Sequence, residues 1–272
     1  MSIKIFSLLL LLMLTLEAKE RIISLSPSIT EILFALEKGD ETVATSSYSL
    51  FPKEAQKLPV IGGYESPHLE KILALLPTLV IGQSYNRTTL DNLKEFNVKT
   101  LNLNLKRVQS IQDSITLLGE KLHAASEAKK LNQNITNAIT NAKKAKTPHS
   151  VMIVYGLRED LRSATYIAGH DIFFEDIIHL CGNTNAYSDT NTNQPVLSYE
   201  NIIAINPDQI IILHSLATEA DADVQRALKN WYSLPTKAAQ NKKISIVDED
   251  YLHIPSHRVA LTIERLCKEM NQ

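Results

Sequence analysis

Five tyrosines stand where a small molecule could meet them. Tyr48, Tyr64, Tyr85, Tyr166 and Tyr251 each fall in a turn-rich stretch or just beyond an apolar run that reads as a strand. A phenol ring offers a broad apolar face and one hydroxyl, which suits a large, partly polar ligand. Arg158, Arg162 and Arg258 could pair with carboxylates on such a ligand, although each taken singly reads as a solvated surface residue. His253 and His257 are four apart, a metal-binding spacing on a helix. Pro255 between them speaks against a continuous helix, so they read as loop residues, with His253 a candidate ligand contact rather than half of a metal pair. The sequence assembles no set of three or four metal ligands. It also carries no G-x-S-x-G, Walker, H-E-x-x-H or C-x-x-C motif, so the chemistry expected is recognition and not catalysis.

Two glutamates stand out for a different reason. HLEKILALLPTLVI (68–81) and SYENIIAINPDQIII (198–212) align without a gap at an offset of 130, Glu70 to Glu200. Ile72 then meets Ile202, Ala74 meets Ala204, Pro77 meets Pro207, and Val80-Ile81 meets Ile210-Ile211. A carboxylate in the first turn of a helix is favoured by the helix dipole, which accounts for either glutamate alone. Their matched places in two copies point to two related lobes and to a shared role for the pair.

Apolar periodicity supplies the elements that would hold these residues. Arg21–Leu25 reads as a strand, and Ile29, Ile32, Leu33 and Leu36 as the apolar face of a helix capped by Ser26 or Ser28. Strands come next near 43–46, 79–81 and 98–101, separated by a loop and helices. From Ser110 to Lys146 there is neither strand signal nor proline. Ala128, Leu131, Ile135, Ala138 and Ala142 form a helical stripe, so two helices are expected here, the second long. The strand–helix alternation resumes at Val151–Tyr155 and ends in a helix over about 258–270. The fold expected is α/β: two lobes with mostly parallel sheets, over 19–108 and 149–272, joined through a long helix within 109–148. In parallel sheets the loops at the carboxyl ends of the strands ring the ligand site, here a cleft between the lobes.

The chain has 272 residues, 44% of them apolar, and a formal charge of −2. That near-neutral balance argues against nucleic acid as a partner. Residues 1–18 carry Lys4, an apolar run of about 12 residues and Ala18, the layout of a secretory signal peptide and shorter than the roughly 20 residues of a spanning helix. Leu16 departs from the usual small residue, and without a cysteine there no lipid anchor is expected. The two cysteines, Cys181 and Cys267, are expected to be bridged in an oxidising compartment.

The blocks RIISLSPSITEILFAL, VATSSYSLFP, GGYESPHLEKILALLPTLVIG and LSYENIIAINPDQIIIL resemble the periplasmic substrate-binding proteins of ABC importers for vitamin B12, ferric siderophores and haem. SSYS followed by a proline, and cysteines in Leu180-Cys181-Gly182 and Leu266-Cys267, are most similar to the vitamin B12-binding members. The resemblance implies a monomeric periplasmic protein that holds a cobalt or iron chelate between its lobes, with no covalent cofactor. It also implies that Glu70 and Glu200 dock on arginines of an ABC permease dimer in the inner membrane. One departure is that tyrosines stand at 64 and 85 where those relatives carry tryptophans; the single tryptophan, Trp231, falls in a predicted helix. A cleft of tyrosine, histidine and arginine would also suit an iron chelate. A binder of free iron, nickel or zinc, engaging residues such as His214 and His253, and a hydrolase acting on a chelate are the rival expectations.

Overall fold

The first apolar run forms strand β1 (Ile22–Ser24) and leads into helix α1 (Pro27–Ala35). Ser26 caps that helix, its Oγ accepting the Ile29 N–H at 3.3 Å, and Pro27 occupies the first turn, where its missing N–H costs nothing. Strand β2 (Thr42–Ala44), helix α2 (Leu69–Ala74), strand β3 (Leu79–Gln83), helix α3 (Arg87–Glu95) and strand β4 (Lys99–Leu103) complete the first lobe. Its four strands are all parallel, in the order β2-β1-β3-β4. The coordinates are a computed structural model that describes residues 19–157, 160, 164–189, 192–214 and 224–272; the leader expected over 1–18 and two candidate arginines, Arg158 and Arg162, lie outside these.

A helical hairpin comes next: α4 (Val108–Lys121) packs along α5 (Ala125–Asn141). Gly119 permits the close approach, since a Cβ there would sit 2.4 Å from the Ala128 Cβ. At 17 residues, α5 is about 25 Å long. The long helix expected is therefore one arm of a pair.

The second lobe contains β5 (Ser150–Tyr155), β6 (Thr165–Ile167), α6 (Phe173–Leu180), β7 (Thr184–Asn185), β8 (Val196–Leu197), α7 (Tyr199–Ile205), β9 (Gln209–His214), α8 (Val224–Tyr232), α9 (Lys237–Gln240), β10 (Ile244–Asp248) and α10 (Val259–Met270). Four of its strands, β7-β5-β9-β10, are parallel and repeat the order of the first sheet. The second sheet differs by one insertion. Strand β6 runs antiparallel to the carboxyl half of β5, with Tyr166 opposite Tyr155, and β8 pairs antiparallel to β6.

The repeated sequence is a repeated structure in detail. Helices α2 and α7 each bury their isoleucine, Ile72 and Ile202, completely. Each turn then passes through one left-handed residue, Leu76 (φ 47°) and Asn206 (φ 52°), before its proline. The next residue, Thr78 or Asp208, uses its side chain to accept the backbone N–H heading the adjacent strand: Arg21 N to Thr78 Oγ1 at 2.8 Å, and Ser150 N to Asp208 Oδ2 at 3.0 Å. Their own N–H groups return the bond to the Arg21 and Ser150 carbonyls, at 3.0 and 3.1 Å.

Alternation along the strands sends side chains into different cores. Ile22 and Ile81 in the first sheet, and Ile153 and Ile211 in the second, enter one continuous cluster with residues of α1, α4, α5, α6 and α10. The opposite faces are covered within each lobe: Ile23 and Val80 by Ile72, Leu90 and Leu93, and Val154 and Ile212 by Ile202, Ala227 and Trp231. The lobes thus share a core, and each fully buried aliphatic side chain in it is worth about 1.5–3 kcal/mol. Cys181 at the end of α6 is bonded to Cys267 in α10 on this spine. Closing a loop of 86 positions contributes about 4–5 kcal/mol on the chain-entropy account.

The two left-handed turns generate a prediction. Leu76 is 76% exposed, so its side chain loses little by removal, while a β-carbon in the left-handed region costs about 1–2 kcal/mol and asparagine tolerates it best. Leu76→Asn, which copies Asn206, is expected to stabilise the protein by about 1 kcal/mol and raise Tm by about 2–4 °C in a calorimetric scan. No rise in Tm would show that the turn is not strained.

Candidate ligand cleft and docking surface

The two lobes come into contact where the loop after β10 meets α1 and the loop after β2, through Arg258 with Glu31 and Phe51, and the candidate cleft is assigned to the loops around this contact. From the first lobe come the loop after β2, which carries Tyr48 and Phe51, and the segments around Tyr64 and Tyr85. From the second come Tyr155 and His214, at the ends of β5 and β9, and the loop after β10 with Tyr251, His253 and Arg258.

The first-lobe wall is built before any ligand arrives. Tyr64 and Tyr85 meet edge to face with centroids 5.8 Å apart. Gln83 Nε2 donates to Tyr85 Oη at 2.7 Å and to Ser26 Oγ at 2.9 Å, and Asn86 Nδ2 donates to the Tyr64 carbonyl at 2.6 Å. Burial pushes the Tyr85 phenol up to about 12, with the neighbouring Tyr64 and Glu65 adding to it and Ser26 opposing it, so it is a neutral hydroxyl at pH 7. Tyr48 is 66% exposed and sits at φ 65°, at the tip of its loop. Beneath that loop is a buried run of hydroxyls: Thr30 Oγ1 donates to Ser24 Oγ at 2.9 Å and shares a hydrogen bond with Thr45 Oγ1 at 2.5 Å, and Thr45 Oγ1 donates to Ser49 Oγ at 2.7 Å.

Tyr155 packs edge-on against Phe174 at 5.6 Å and lies 5.7 Å from the His253 ring. Burial, helped by His214, holds the His253 imidazole down at about 4, and burial with Arg258 does the same to His257. Both rings are therefore neutral at pH 7. His214 is fully buried, with Nδ1 3.4 Å from Asp248 Oδ2. Tyr166 is exposed on the inserted strand β6.

Arg258 departs from its expected place. It is only 7% exposed, and its donors are engaged inside the protein: Nε reaches Glu31 Oε2 at 2.9 Å, Nη2 bonds Glu31 Oε1, and Nη1 reaches Asp250 Oδ1 at 2.9 Å. Ser256 Oγ donates to the same Glu31 carboxylate. The guanidinium lies 4.0 Å from the Phe51 ring centroid and 5.7 Å from that of Tyr251. Burial raises the Glu31 carboxyl above its usual range, and its Arg258 and Ser256 hydrogen bonds pull it part of the way back. Arg258 thus joins the lobes, and it does not offer a free cation to a ligand anion.

Sequence reasoning did not single out Glu31, Phe51 or Tyr155, and it named His214 only as a ligand for a free metal ion. Tyr155 and His214 end strands that read as core. Phe51 sits in a loop with no periodicity to mark it. Glu31 did leave a trace, as the one charge inside the apolar block LSPSITEILFAL.

Glu70 and Glu200 are both exposed, in the first turns of α2 and α7. Each helix precedes a central strand of its sheet, β3 or β9, so the two glutamates occupy matching places in the two lobes. The Ser198 hydroxyl, first among its neighbours, holds Glu200 below the usual carboxylate range. Among the described residues there is no group of three or more histidine, cysteine, aspartate or glutamate side chains placed to hold a metal ion, and no helix long and apolar enough to cross a membrane.

Two sheets of matching order on one spine define a two-lobed binding protein. The family model described as periplasmic binding protein matches residues 22–251, and the chain belongs to that family. Among curated relatives, the vitamin B12-binding protein of Vibrio parahaemolyticus is 29% identical over 93% of this chain and 90% of its own length. That of Yersinia pestis is 28% identical over 97% and 90%. Among solved structures, the periplasmic haem-binding protein of Vibrio cholerae superposes with a TM-score of 0.78 at 25% identity, covering 94% of this chain and 100% of that one. The periplasmic vitamin B12-binding protein of the same organism gives 0.72 at 25%, covering 92% and 96%.

The buried imidazoles set a pH dependence. For His253 and His257 the folded state holds the pKa near 4, below the usual 6.5, so the unfolded chain takes up protons first. Stability is fully present above pH 6.5 and is lost as pH falls toward 4, by up to about 3 kcal/mol per ring. Urea unfolding at pH 7.5 and 4.5 is expected to show this loss, and His257→Gln to reduce it. An unchanged slope in His257→Gln would remove that ring from the account.

Proposed function

We propose that this protein is the substrate-binding component of an ABC importer, which captures a metal chelate in the periplasm and delivers it to a membrane permease. The chelate class is a corrinoid, haem or a ferric siderophore. The observation that carries this reading is the prebuilt aromatic pair of the first lobe, Tyr64 edge to face on Tyr85, together with the ring contact of Tyr155 and His253 in the second. Phenol faces lie against the broad macrocycle, and the hydroxyls and neutral imidazoles meet its polar rim. The names of the relatives, vitamin B12-binding and haem-binding, support the same class.

Delivery uses Glu70 and Glu200. The lobes share a core, so the distance between the two carboxylates is nearly constant, and a pair of arginine-bearing sites on a two-fold permease can engage both. Such exposed charges act mainly on association and register.

Two experiments test the reading. Mixed with cyanocobalamin, hemin or a ferric siderophore and passed through a sizing column, the purified protein is expected to carry one of them, detected by visible absorption, and Tyr85→Ala to hold it about tenfold more weakly. Binding of none would overturn the proposal. The double variant Glu70→Lys/Glu200→Lys is expected to bind the chelate normally and to fail in uptake by cells carrying the permease; normal uptake would exclude the docking role.

A further inference from the structure

We infer that Glu31 is a positioning residue for the cleft: it holds Arg258 between Phe51 of one lobe and Tyr251 of the other, so that the base of the ligand site is assembled before ligand arrives. The inference rests on the proposed ligand cleft for its functional meaning, and on geometry for its substance.

Glu31 is 3% exposed on α1, in the first lobe. Its partners, Ser256 and Arg258, come from the loop after β10 in the second lobe. That loop also supplies Asp250, the other carboxylate on Arg258, and Tyr251, one of the two rings beside the guanidinium. The other ring, Phe51, belongs to the loop after β2. The residue before Glu31 holds that same loop: Thr30 Oγ1 is within hydrogen-bond distance of both Thr45 and Ser49. One turn of α1 therefore ties down an aromatic-bearing loop on each side of the cleft, Thr30 on its own lobe and Glu31 across the gap.

A buried ion pair is a poor device for stability alone, because desolvation offsets most of its attraction. Here the pair does something apolar packing could not. A guanidinium is attracted to both ring faces at once and keeps a fixed plane through its bonds to Glu31. Removing the Glu31 charge leaves Arg258 with Asp250, a half-exposed partner, and frees the guanidinium to leave the Phe51 ring.

The test uses the full protein in four forms: wild type, Glu31→Gln, Phe51→Leu and the double variant. In unliganded Glu31→Gln, hydrogen exchange is expected to accelerate together in segments 46–58 and 249–257, while the amides of α5 and of the disulfide-linked α6 and α10 keep their protection. Acceleration spread over the whole protein, or none, would overturn the inference whether or not a ligand is known. With hemin or cyanocobalamin, whichever the wild type binds, Glu31→Gln and Phe51→Leu are each expected to weaken binding about tenfold, and the double variant no more than Phe51→Leu alone. Multiplying effects would show that Glu31 does not act through Phe51. Wild type binding neither probe would leave the ferric siderophore as the remaining chelate of the proposed function, and the exchange result would still decide the role of Glu31. Should Glu31→Gln fail to fold, Ser256→Ala, which removes one hydrogen bond from Glu31, is expected to give the same exchange pattern more weakly; unaltered exchange would overturn the inference.

Discussion

A parallel sheet is apolar on both faces, and both must be covered. In this protein each lobe covers one face of its sheet with its own helices: α2 and α3 in the first, α7, α8 and α9 in the second. The other face of both sheets is closed against a common spine of α1, α4, α5, α6 and α10. That requirement decides most of the architecture. It makes the two lobes a single cooperative unit, places the disulfide between two spine helices, and leaves the carboxyl ends of the strands as the surfaces free to build a site. It also restricts motion: opening the lobes widely would expose buried isoleucines and leucines on both sides of the spine.

A cleft with constrained walls suits recognition of a rigid ligand, because little ordering entropy remains to be lost on binding. The first-lobe wall illustrates how that order is reached. Tyr64 and Tyr85 are exposed side chains, yet Gln83, Asn86 and Ser26 fix their backbone and hydroxyl positions. The Glu31–Arg258 pair extends the same logic across the gap. Exposed aromatic rings, which would be costly on an ordinary surface, are held ready by buried polar groups beneath them.

Much of the fold was legible in one dimension. The 130-residue offset between Glu70 and Glu200 foretold a structural repeat because a helix–proline–strand unit is a local object: its isoleucine, its left-handed turn residue and its proline lie within ten residues of one another. The cysteine pair was legible for a different reason, since a chain with two cysteines has only one intramolecular bridge to make. The placement of Tyr64 and Tyr85 outside the core was legible because turn formers surround them. Arg258 was misjudged because its partner lies 227 positions away, a distance over which residue spacing carries no information. Tyr155 was passed over, and His214 entered only as a ligand for a free metal ion, because the last residue of a buried strand looks like the rest of it until the neighbouring loops are in place. The helical hairpin was partly read: two helices were expected over the strandless stretch, but the closeness of α4 to α5, which Gly119 permits, was not.

Local patterns, then, settle the α/β class, the duplication, the disulfide and the loops with exposed aromatic rings, because each depends on residues near in the chain or on composition. The common core, the antiparallel insertion bearing Tyr166, and the conversion of Arg258 from a candidate ligand contact into the link between lobes arise when distant segments pack. Those outcomes depend on which carboxylates lie beside the guanidinium and on what is left exposed once both sheet faces are covered, and residue spacing along the chain reveals neither, because the segments that pack together, Glu31 with Arg258 among them, are far apart in sequence.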